Sequence, residues 1–186
     1  MFNKETGIII ANGDHGKEGI IEKVNSEVEN IFKYRVEELK GMNLSTLMPK
    51  NFSKLHNTFM ERYYTIGEKR IIDKCNLHTF VKEKDNTIIK INIILKLFPM
   101  LNENVYFIGI FSKDNINDII YIDNKFNIQG MSMKLMKLLN INNNLLFQNN
   151  DIPFYVICKK FVNFYKIFLK GKKKTFLKKK KENLHY

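Results

Sequence analysis

His56 is the side chain whose neighbours best equip it for chemistry in this chain of 186 residues. It lies four positions after Phe52, one after Leu55 and three before Phe59. At helical spacing Phe52, Leu55, Phe59 and Tyr63 form one apolar stripe, and the imidazole points toward it. A neutral ring nitrogen at the edge of an apolar stripe is a ligand or a hydrogen-bond partner in waiting. The carboxylates offer less. Glu37, Glu38, Glu61, Glu68 and Asp73 are scattered over expected helix surfaces and turns, and no GxSxG, P-loop or HExxH spacing occurs. The expectation is a protein that is not an enzyme. Cys75 and Cys158 lie far apart, outside any CxxC or Cys/His spacing, which excludes a disulfide scaffold and a zinc site and fits a reducing, cytoplasmic compartment.

Charge divides the chain. Residues 1–117 carry 17 Lys and Arg against 15 Asp and Glu, and residues 118–186 carry 14 against 4. The net charge of +12 thus belongs to the C-terminal third, so it is no nucleic-acid signature of the folded part. From Lys159 onward there are eleven Lys and one acid, Glu182, with Phe161, Phe164, Tyr165 and Phe168 interleaved. Such a tail suits an anionic membrane surface, where each Lys contributes about 1 kcal/mol. No signal-peptide apolar region opens the sequence. The most apolar later stretch, 152–169, is interrupted by Lys159, Lys160 and Lys166, so no spanning helix is expected.

The elements that must position His56 are legible as periodicities. Residues 7–11 and 19–24 read as a hairpin about the turn 12–16. Ser26 followed by Glu29 has the spacing of a capping box, with Val28, Ile31 and Phe32 on one helical face behind it. Pro49 opens a longer helix at the position where its missing N–H costs nothing, and Gly67 closes it. Residues 70–82 read as a strand of mixed pattern. Residues 87–97 alternate, with Ile89, Ile91, Ile93, Leu95 and Leu97 facing one way and Lys90, Asn92 and Lys96 the other, the mark of a sheet with one covered and one wet face. Asn86 supplies the left-handed residue of the turn before it. Residues 104–111 are apolar on both faces, as in a central strand.

The segment LMPKNFSKLHNTFMERYYTIGEKRII (47–72) resembles the helix-to-strand passage of PAS sensory domains. VNSEVENIFKY is similar to that family's first-helix region, EELKGMNLSTLMP to its connector, KEKDNTIIKINI to its hairpin and NVYFIGIFSKD to its last strand. The resemblance covers residues 7–114. It implies an α+β fold, a five-stranded antiparallel sheet with helices covering one face, and a sensory or signal-transduction module that binds a small ligand, a protein partner or a second copy of itself. Beyond it, residues 115–158 resemble a partial second PAS segment, with IIYIDNKFNIQGMS as its hairpin and MKLMKLLNI as its helix. Residues 159–186 form the basic tail.

Within the family the motif is nearest to the haem-binding PAS domain of rhizobial oxygen-sensor kinases. That likeness implies His56 as a haem-iron ligand, with Arg62 and Arg70 near the propionates, where a guanidinium pairs a carboxylate in fork geometry. Asn76 matches the strand residue that is an oxygen-answering arginine in those sensors, and it can donate a hydrogen bond but no charge. A flavin is not expected, because the photosensory subclass needs a cysteine where GMNLSTLMP has Leu44 and Ser45. The readings in order are a sensory module with an unknown ligand, a haem-based gas or redox sensor, and a membrane-surface adaptor acting through the tail. Nucleic acid is not an expected partner, since no recognition-helix motif accompanies the charge.

Overall fold

The structure is a computed structural model, which describes residues 6–67, 72–74, 77–99, 105–114, 118–141 and 152–158. Arg70, Cys75, Asn76 and the basic tail 159–186 lie outside the described residues. Five strands, β1 (Gly7–Asn12), β2 (Ile21–Val24), β3 (Leu77–Lys82), β4 (Ile88–Pro99) and β5 (Val105–Lys113), form one antiparallel sheet in the order β2-β1-β5-β4-β3. Between β2 and β3 run α1 (Glu27–Phe32), α2 (Val36–Leu39), a 3-10 turn (Leu44–Leu47) and α3 (Lys50–Ile66). This is the α+β, PAS-like arrangement expected, with the helices on one face of the sheet.

That face is fixed by alternation. Ile9, Ile91 and Phe111 point from the sheet into a core completed by Val28, Ile31 and Phe32 of α1, Leu39 of α2 and Leu47. Phe32 and Phe111 meet edge to face, ring centroids 5.6 Å apart. The other face carries Ile8, Ile10, Ile94, Ile108 and Ile110, paired across β1, β5 and β4 and each half-buried. The β3–β4 turn forms as its sequence demands. Asn86 adopts φ +66°, and the Asp85 carboxylate accepts the Thr87 N–H at 2.9 Å.

Two local expectations are corrected. Ser26 does not cap α1: its backbone is already helical, and Glu29 turns forward to accept the Val36 N–H at 2.8 Å, serving α2 instead. The neighbouring Asn25 does the joining, accepting from Ile8 N and donating to Thr6 O, each at 2.8 Å. The α3 stripe is also rotated from its expected position. Leu55 is 49% exposed, so the covered edge runs through Phe52, His56 and Tyr63, with Phe59, 39% exposed, at its margin. Pro49 stands one position ahead of the helix, its carbonyl accepting from Phe52 N and Ser53 N at 2.9 Å.

A second, smaller unit follows: β6 (Ile120–Ile122), β7 (Asn127–Met131), α4 (Met133–Leu138), β8 (Ile152–Pro153) and α5 (Phe154–Ile157), its sheet ordered β6-β7-β8. Ile128, Met131 and Met136 form its hydrophobic core cluster. It meets the first unit through Tyr121, which stacks on Phe52 at 5.5 Å and lies 6.2 Å from Phe80. Gly130 of β7 presses on Ile88 of β4, and a Cβ there would sit 2.3 Å from Ile88 Cγ1.

Candidate functional site

α3 bridges the concave face of the sheet without filling it. The space beneath is a cavity of about 300 Å³ walled by α3, the 3-10 turn and strands β1, β3, β4 and β5. Its position follows from the sequence. The alternating run of β4 sends Ile91, Ile93 and Leu95 inward, and β5 contributes Phe107, Gly109 and Phe111 from the opposite parity of its own pattern. Gly109 shapes the floor: a Cβ there would lie 2.5 Å from Phe111 Cζ, so the missing side chain is what lets the Phe111 ring lie across the strand.

His56 lines this cavity, as its spacing implied. The imidazole also lines a second, polar cleft of about 540 Å³, shared with His15, Glu18, Asn43, Glu61 and Thr65. It is the wall between a wet space and a dry one. Its Nδ1 is sealed from solvent and has no hydrogen-bond partner among the described residues. Burial pushes its pKa below the ordinary histidine value, because charging the ring would place a cation beside hydrocarbon.

The other expected site residues do not gather around it. Arg62 is exposed and is not among the cavity's walls. Six residues after His56 it stands about 120° away around the helix axis, which explains the separation. Arg70 and Asn76 lie outside the described residues. The described walls carry no charged side chain. Of nineteen wall residues only His56, His78 and Thr79 have polar side chains, and His78 turns its Nδ1 outward to Asp114 at 3.7 Å.

This setting does not fit haem. A volume of about 300 Å³ lies at the floor of the range for small-molecule sites. A tetrapyrrole needs more room, and cations for its two carboxylates that the described walls do not supply. The described acids likewise converge on no reacting centre. Glu38 binds Lys84 at 2.5 Å and accepts from Arg35 N at 2.9 Å, bonds that hold its pKa below the usual carboxylate range. No cluster of three His, Cys, Asp or Glu side chains at metal-binding distance occurs among the described residues.

Sequence reasoning missed Phe80, Phe107, Gly109 and Phe111 as site residues. A lone glycine inside an apolar strand was the available signal for the last pair.

No protein-family model matches the sequence. A probable serine/threonine-protein kinase of Dictyostelium discoideum is 28% identical over 105 residues, which is 56% of this chain and 7% of the kinase. The match therefore spans a small part of that relative. Among solved structures, the PAS domain of an HTR-like protein from Haloarcula marismortui is similar at a TM-score of 0.46 and 16% identity, over 60% of this chain and 84% of that one. The PAS domain of a LuxR-family transcriptional regulator from Burkholderia thailandensis, solved with ethanol, is similar at 0.44 and 13%, over 61% and 92%. These likenesses are low. The fold assignment stands on the strand order and the helix placement themselves. Among the described residues no helix is long and apolar enough to cross a membrane.

Proposed function

We propose that residues 7–114 act as a sensory or regulatory module without catalytic chemistry of their own, in which a small molecule occupies the cavity under α3 and biases association through the opposite sheet face. The observation that supports this reading is the cavity itself. A core of this size normally closes to crystal-like density, and a 300 Å³ space beneath a 17-residue helix is a costly feature for a domain that only has to fold. The cavity shares its sheet with the isoleucine face, so side chains on neighbouring strand positions face ligand and partner alternately. Ile93 and Leu95 line the cavity, while Ile94 between them faces outward.

Sedimentation of the full chain tests the association. Ile108→Asp places a charge within the isoleucine face, opposite Ile10, and it is expected to abolish self-association, or capture of a protein partner, that the parent protein shows. Equal association of parent and variant would reject this face as the contact. The haem reading draws on His56 alone, since the described walls supply no cation for the propionates.

A further inference from the structure

We propose that the cavity under α3 selects a small, uncharged, mostly hydrocarbon ligand with at most one hydrogen-bonding group, and rejects carboxylate-bearing molecules, tetrapyrroles included. The inference rests on the sensory reading above and specifies its ligand.

Volume sets the first limit. A cavity of about 300 Å³, at the low end for small-molecule sites, suits a single ring with a short chain, or an aliphatic chain of similar bulk. The walls set the second. Phe32, Phe52, Phe59, Phe80, Phe107 and Phe111 supply aromatic surface from both layers. β4 and β5 are each paired on both sides, so their backbone groups are engaged in the ladder and these strands offer a ligand side chains rather than peptide donors. Of the three polar wall residues, His78 is turned to Asp114 and the His56 Nδ1 is sealed. That leaves the remainder of the His56 ring and the Thr79 hydroxyl as the polar wall groups a ligand could meet. An apolar space of this kind stays dry, and a carboxylate entering it would lose its hydration with no cation among the described wall residues to replace it.

The approach route separates charged from uncharged molecules as well. Phe59 both lines the cavity and is 39% exposed, so the cavity reaches the surface beside it. His56 sits one turn away, between this dry space and the polar cleft that contains Lys17, Glu18 and Glu61. A charged molecule is better solvated in the cleft than beyond the imidazole. A hydrocarbon gains by crossing.

Calorimetric titration of the full chain with n-propylbenzene and with phenylpropionate, a matched pair differing in charge, tests the proposal. Propylbenzene is expected to bind at least about a hundredfold more tightly. Leu95→Phe, which fills the cavity, is expected to weaken it about tenfold, while Ile110→Phe on the opposite face leaves it unchanged. Should Leu95→Phe not fold, the ratio between the two probes in the parent protein still decides. Equal binding of the acid, or a Soret band with added haemin that His56→Ala abolishes, overturns the ligand class and leaves the sensory reading standing. Binding of none of these molecules overturns both.

Discussion

The two units of this chain solve the same problem with unequal means. The five-stranded unit buries a core from α1, α2 and the 3-10 turn and retains a cavity under α3. The three-stranded unit buries Ile128, Met131 and Met136, and its third strand is two residues long. Small sheets of this size are marginal by themselves. The second unit gains additional burial through Tyr121 between Phe52 and Phe80, and through Gly130 against Ile88. Its docking site is also part of the cavity wall, since Phe52 and Phe80 belong to both. One unit is stable through its own core, and the other depends on contact with its neighbour.

The largest expected effect is in the self-sufficient unit. Phe32→Ala removes a fully buried ring and its edge-to-face contact with Phe111, and should cost about 3–5 kcal/mol in denaturant unfolding, with both units lost together. If the second unit survived that loss, its dependence would be refuted. Gly130→Ala addresses the reverse case. The added methyl collides with Ile88 and should cost about 1–3 kcal/mol, read as faster hydrogen exchange in 120–138 while the five-stranded sheet stays protected. Exchange rising equally in both sheets would mean a single cooperative body.

Acid gives a smaller effect, confined to the first unit. His56 titrates below its unfolded value of about 6.5, so the unfolded chain binds the proton more readily. Its contribution to stability is complete above that pH and is lost as pH falls toward the folded pKa. His56→Gln should flatten this part of the stability profile, measured by thermal melts between pH 7 and 5. An unchanged profile would show that the imidazole is not desolvated. The smallest effect belongs to Leu55→Ala, expected within about 0.5 kcal/mol because nearly half of Leu55 faces solvent. A loss of several kcal/mol there would restore Leu55 to the buried stripe.

The sequence was most informative where one residue's conformation decides the outcome, as at Asn86 in its turn and at Gly67, which closes α3 with φ +67°. It was least informative where two partners compete. Ser26 and Glu29 have the spacing of a capping box, yet Glu29 also reaches Val36 N, and spacing along one helix cannot register a competitor on the next. Leu55 illustrates the same limit. Helical periodicity gives an apolar arc about 100° wide, and only the shape of the sheet below selects which edge of that arc is covered. His56 was placed on that arc, but the chemistry around it was not legible, because the walls come from segments far apart in the chain.

The sequence by itself determined the order of elements, the inward parity of β4 and the presence of an imidazole on the helix that crosses it. These are properties of neighbours in the chain, set by backbone preferences and by the periods of helix and strand. The tertiary structure decided the volume of the cavity, the sealing of His56 Nδ1, the separation of Arg62 from it, and the burial of Ile88 by a glycine 42 positions later. Those depend on distances between segments, which arise when curved layers pack and are encoded in no local pattern.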